Sequence, residues 1–319
     1  ISINQYHGNL GICPIDSFWF FNSGYDALNG YYPFKDYWTI AGPFITFSQA
    51  FFFKIFGVSW FSYVLHASTF NFLIVIATFY TLIKFDLNIH YCFFYALLTS
   101  ITAYPISGTP FIDHHSSILS LLALFSFVLS LKTKSNFYWF LTPVLLGLAF
   151  LSKQTPAGYI GLIIAFFSLI YFFYNFNIEK ILFFLAGSVS IITCFILFLL
   201  INKIPFLSFY EQYILFPLNI GEGRFQHLIF PIEFKRIILR FKLIHLSQLI
   251  LIIIIFKNIL KNVKYFKNKE FFILTSIVIT SFALITHQLV TLNQKFIFFI
   301  IPILLGFSHI YFKKNFINK

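Results

Sequence analysis

Nine stretches of this sequence are long, apolar and free of Asp, Glu, Lys and Arg: residues 58–83, 89–106, 117–131, 137–151, 156–174, 181–201, 243–256, 271–286 and 296–311. A helix crossing a bilayer core takes about 20 such residues. Inside lipid, a backbone satisfies its own N–H and C=O groups only as a helix or a closed barrel. The runs are continuous rather than alternating, which is the helical case. The sequence therefore predicts an all-α polytopic membrane protein with about nine transmembrane helices in one membrane-embedded domain, 1–319. Within it, 1–57 reads as an outer first loop with short interfacial helices, 58–201 as spans, 202–242 as an outer amphipathic loop and 243–319 as the C-terminal spans. The chain holds no Met and opens at Ile1, so a preceding segment with a first span is expected.

Charged residues make up 10% of the chain, against roughly 25% in soluble proteins, which excludes a soluble globular fold. The net charge of +12 would suggest nucleic acid in a soluble protein. Here the lysines fall in short loops between spans, where topology and anionic lipid account for them; membrane lipids, and no nucleic acid, are the expected partners. Three scattered cysteines give neither a disulfide framework nor a metal spacing.

The lysines also orient the chain. Lys84, Lys132 and Lys134, Lys180, the five lysines of 257–269, and Lys313, Lys314 and Lys319 occupy alternate loops, which assigns that side to the cytoplasm. The unusual polar motifs all fall on the other side. Chief among them is 14–44, PIDSFWFFNSGYDALNGYYPFKDYWTIAGPF, which holds three of the ten acids of the chain: Asp16, Asp26 and Asp36. Its Gly and Pro residues break any long helix, so it reads as a folded loop leading into an interfacial helix from Thr39. An ionisable cluster beside a membrane is a functional-site hypothesis. Asp26 reads as loop surface. Further on come Asp113-His114-His115, Lys153-Gln154 and Gln294-Lys295.

At PFKDYWTIAGPF, GLAFLSKQT and NQKFIFFIIP the chain resembles the GT-C superfamily of integral-membrane glycosyltransferases, nearest the bacterial branch of the protein mannosyltransferases and the aminoarabinose transferase of lipid A. The resemblance implies transfer of a sugar from a polyprenyl-phosphate carrier to an acceptor, on the outer face of a bacterial inner membrane. It places an early catalytic acid at Asp16, followed by Gly30, Pro33, Phe34, Lys35 and Asp36. Where the family often has Asp-Glu, this chain has Asp16-Ser17.

The chemistry assigns roles. A carboxylate in an aromatic cleft suits the general base that takes the acceptor proton; Asp16 is the first choice and Asp36 the second, unless Asp36 only holds Lys35 or a loop amide. The departing lipid phosphate calls for fixed cations: Lys153 and Lys295, aided by Gln154 and Gln294, or else those lysines snorkel to headgroups. Asp113, His114 and His115 could contact the acceptor or bind a divalent metal, the one cofactor considered; Asp113 could also cap the helix that follows. One carboxylate with a cation clamp fits an inverting single displacement. Two other functions stay open: a polymerase or ligase of surface polysaccharide working through 202–242, and a transporter or flippase, which would put charges inside the spans.

Overall fold

The computed structural model describes residues 1–11, 14–228, 234–291 and 297–317. Among these there is no β-strand. The helices are α1 (Ser2–Gly8), α2 (Pro14–Leu28), α3 (Pro43–Phe56), α4 (Trp60–Lys84), α5 (Ile89–Thr102) with a 3-10 turn Tyr104–Ile106, and α6 (Ile112–Lys132). Then come α7 (Phe137–Ser152), α8 (Gln154–Tyr174), α9 (Ile178–Ile201), α10 (Phe206–Phe209) and α11 (Phe216–Leu228). After Lys235–Leu239, a π-helical turn, follow α12 (Lys242–Lys261), α13 (Lys269–Thr291) and α14 (Ile300–Phe312). Ser59, Asn88 and Asn177 cap α4, α5 and α9 through their side chains, so the polar residues between the apolar runs start the helices.

Seven helices among the described residues are long and apolar enough to cross a membrane: α4, α5 with its 3-10 turn, α6, α8, α9, α12 and α13. Two of the nine expected runs form shorter helices. Helix α7 has 16 residues and α14 has 13, about 24 and 20 Å at 1.5 Å per residue. The expected interfacial helix from Thr39 begins at Pro43 and has 14 residues.

Helix α6 is the hub. It is buried on nearly every side and packs against α4, α7, α8 and α13. One of its serines ties it to a neighbour: Ser126 donates to the Tyr138 carbonyl of α7 at 2.8 Å. Helix α9 is the opposite case, lightly buried and held mainly by α7. There the backbones touch, since a Cβ at Gly187 would overlap the Phe140 carbonyl oxygen.

The two ends of this bundle differ. At one end Lys132 pairs with Asp86 at 2.7 Å, Lys314 pairs with Glu270, and Lys267 lies over Tyr174. The other end gathers the N-terminal segment. Helix α1 is tied to α4 and to the loop before α6 by Asn4, which donates to Ser68 Oγ and to the Gly108 carbonyl, each at 3.1 Å. Phe20, Ile45, Phe53 and Tyr63 close a small core between α2, α3 and α4. Phe34, Leu199, Phe209 and Tyr213 close another, and the Thr39 amide donates to Gln212 at 3.0 Å. The early acidic stretch and the late amphipathic one, far apart in sequence, thus form one layer.

Candidate functional site

Beneath that layer lies a buried ion cluster. Asp113 stands in the first turn of α6, after an N-cap at Phe111 that makes no side-chain cap bond. The capping role read from sequence is therefore corrected: the carboxylate is turned into the bundle. Lys153 Nζ lies 2.7 Å from both of its oxygens, and His287 Nε2 lies 2.7 Å from Oδ1. Asp113 and His287 are enclosed almost completely, and the Lys153 side chain is 18% exposed. Lys153 occupies the break between α7 and α8 in an extended conformation, and Ser116 Oγ donates to its carbonyl at 3.1 Å. A buried carboxylate is tolerable only with such partners. His287 Nδ1, also buried, has no hydrogen-bond partner among the described residues. With Nε2–H given to Asp113, Nδ1 carries a lone pair, which is the arrangement of a carboxylate-oriented histidine base.

His114 and His115 turn elsewhere, because successive helical side chains diverge by about 100°. His114 stacks on Tyr104, with ring centroids 4.9 Å apart. His115 Nε2 meets His66 Nε2 at 2.9 Å, and His66 Nδ1 meets Gln49 Oε1 at 2.8 Å. The Tyr104 hydroxyl bonds His115 Nδ1 and sits 3.3 Å from both the amide and the carbonyl of Phe111. This chain can be satisfied in two senses. In one, the Phe111 amide donates to Tyr104, Tyr104 to His115, His115 to His66 and His66 to Gln49. In the other, with the Gln49 amide turned over, every bond reverses and Tyr104 donates to the Phe111 carbonyl. Passing between the two senses moves protons along the chain. No trio of His, Cys, Asp or Glu is arranged to hold a metal among the described residues, and residues 113–115 reach three different sets of partners.

The early acids separate. Asp16 lies in the first turn of α2, half-buried. Its neighbour Ser17 accepts from the Tyr63 hydroxyl at 2.6 Å and approaches Thr109 Oγ1 at 3.4 Å. The start of α2 therefore rests on the loop that leads into Asp113. Asp36 is exposed and staples its own turn: Oδ2 accepts from the Tyr32 amide at 2.7 Å, and the Asp36 amide donates to the Tyr32 carbonyl. That is the loop-amide role weighed for it. Asp26 is half-buried on α2 rather than on loop surface. Burial, then the charge of Asp26, pushes the Tyr37 phenol upward. Gln154 donates to the Tyr213 carbonyl, so its amide holds the late segment. Gln294 and Lys295 lie outside the described residues.

Lys235, Arg236 and Arg240 line a groove, and Arg236 donates to the Leu289 carbonyl at 3.4 Å. This basic turn therefore sits two residues from His287. Sequence reasoning missed His287, His66 and Gln49. The available signal was their type: ionisable or amide side chains inside otherwise apolar helices. No protein-family model, curated protein or solved structure matches this chain.

Proposed function

We propose that this protein is a glycosyltransferase that moves a sugar from a polyprenyl-phosphate carrier to an acceptor hydroxyl, at the end of the bundle that carries Asp16. One observation carries the reading. The half-buried acid of α2, the Asp113–Lys153–His287 cluster and the basic turn at Arg236 lie at the same end of the bundle. In this reading α7 and α14 are short spans that bring the count to nine. The acidic layer is then an outer-face loop, and the membrane is a bacterial inner membrane. The acceptor oxygen attacks the anomeric carbon as the bond to the carrier phosphate breaks, and its proton passes to Asp16. The leaving phosphate gains charge, met by the basic turn and by the third proton of Lys153.

Asp16→Asn keeps shape but cannot take the proton. General-base work contributes about 10²–10⁴-fold, so turnover with a polyprenyl-phosphate sugar should fall by that order, with donor binding retained and Asp26→Asn nearly silent. Normal turnover in Asp16→Asn would remove Asp16 as the base.

A second reading, a proton-coupled transporter, is favoured by the buried Gln49–His66–His115–Tyr104 chain, since transporters place ionisable groups inside spans. Proteoliposomes separate the two: solute uptake without consumption of a lipid-linked sugar supports transport, and consumption without uptake supports transfer.

A further inference from the structure

At the lysine-rich end of the bundle lies a cleft of about 430 Å³ between the α4–α5 turn, the end of α6, the start of α13 and the end of α14. It is separate from the cluster above. Asp113 and Lys132 stand near the two ends of α6, about 28 Å apart at 1.5 Å per residue. The wall is apolar, formed by Phe85, Leu87, Leu131 and Ile273, all buried. The rim carries Lys132, Lys269, Lys313 and Lys314 against two carboxylates, Asp86 and Glu270. Both carboxylates are already matched, to Lys132 and to Lys314. Lys269 and Lys313 have no acid within ion-pair distance among the described residues. The cleft thus joins a surplus of two positive charges to an apolar wall, at the depth where the long helices end.

We propose that this cleft binds an anionic phospholipid, with the phosphodiester between Lys269 and Lys313 and the glycerol and first acyl methylenes on the wall. Lysine binds phosphate as a point charge, and a juxtamembrane basic cluster draws acidic headgroups. A soluble phosphate would match the lysines alone and make no contact with the apolar wall; a zwitterionic lipid would bring no net charge to the lysines. The proposal stands apart from the glycosyltransferase reading, because no residue is shared.

The test uses the full chain in nanodiscs of phosphatidylcholine with a minority of phosphatidylglycerol, reading retained phosphatidylglycerol by native mass spectrometry. Lys269→Gln with Lys313→Gln should lower retention about tenfold, the scale of one charge-assisted bond. Lys261→Gln with Lys264→Gln removes equal charge from exposed lysines that do not line the cleft and should leave retention unchanged. Unaltered melting of the first pair would confirm that the fold is kept. Soluble glycerol phosphate should not displace the lipid. Equal loss in both pairs, no loss in the first, or displacement by glycerol phosphate would each overturn the proposal; the last would assign the cleft to a soluble phosphate ester.

Discussion

Asp113 holds a full carboxylate inside the bundle, and its ionised form depends on Lys153 and His287. Breaking such a pair from one side costs about 3–5 kcal/mol, because it strands the other charge. Lys153→Ala should therefore lower stability by that order, read as melting in detergent. Asp113→Asn combined with Lys153→Gln removes both charges at similar volume and should recover most of the loss. If the double variant is no more stable than Lys153→Ala, the pair is not what holds the cluster. At this scale the sequence showed Asp113 and Lys153 as oddities in short connections but not as partners, since they lie 40 positions apart on different elements. His287 lies 174 positions from Asp113, one imidazole in an apolar helix, and only the packing of α13 on α6 gives it meaning. Asp36 was hard to read for the opposite reason: its carboxylate accepts from an amide four residues away, a local bond that the sequence alone does not distinguish from the role of a second-choice base.

Among elements, the apolar runs were readable because lipid demands length and purity, and the capping residues marked where helices start. What the runs could not tell was how far each stays helical. Helix α7 is short and carries Pro143, and α8 follows at once after Lys153, so this pair is a bent connection as much as two rods. Close backbone approach is likewise invisible in a lone glycine. Gly187 and Gly161 look alike in sequence, yet a Cβ at Gly187 meets the Phe140 backbone of α7 and one at Gly161 meets nothing within 4 Å. Small residues at such crossings let membrane helices pack. Gly187→Ala should push α9 off α7 and cost on the order of 1–3 kcal/mol, the usual cost of overpacking. Gly161→Ala should be neutral or slightly stabilising, since alanine is the better helix former. Melting of the two variants side by side measures the difference, and equal behaviour would mean that α9 is not seated at Gly187.

For the whole molecule, the bundle has one lysine-rich end and one end that carries the aromatic stretch with Asp16, Asp26 and Asp36, so its orientation can be tested directly. Tyr31 and Lys267 are exposed at opposite ends. Tyr31→Cys should react with a membrane-impermeant maleimide added outside the cell, and Lys267→Cys only after the membrane is opened. Cys194 is exposed on α9, the least buried of the long helices, so labelling of each variant is read against that of the unsubstituted chain. Labelling of Lys267→Cys from outside would invert the arrangement and move the proposed chemistry to the other face.

The ion cluster also sets an order in time. A ribosome making this chain releases Asp113 well before Lys153, and releases His287 last of the three, with α13. Helix α6 is therefore complete before either partner of its carboxylate has been made. Lys153 follows after α7. His287 closes the site only when α13 is in place. Assembly of this protein thus has a fixed sequence: the helix that ends at the centre is the third of the seven long ones made, and its cluster is complete only with the seventh.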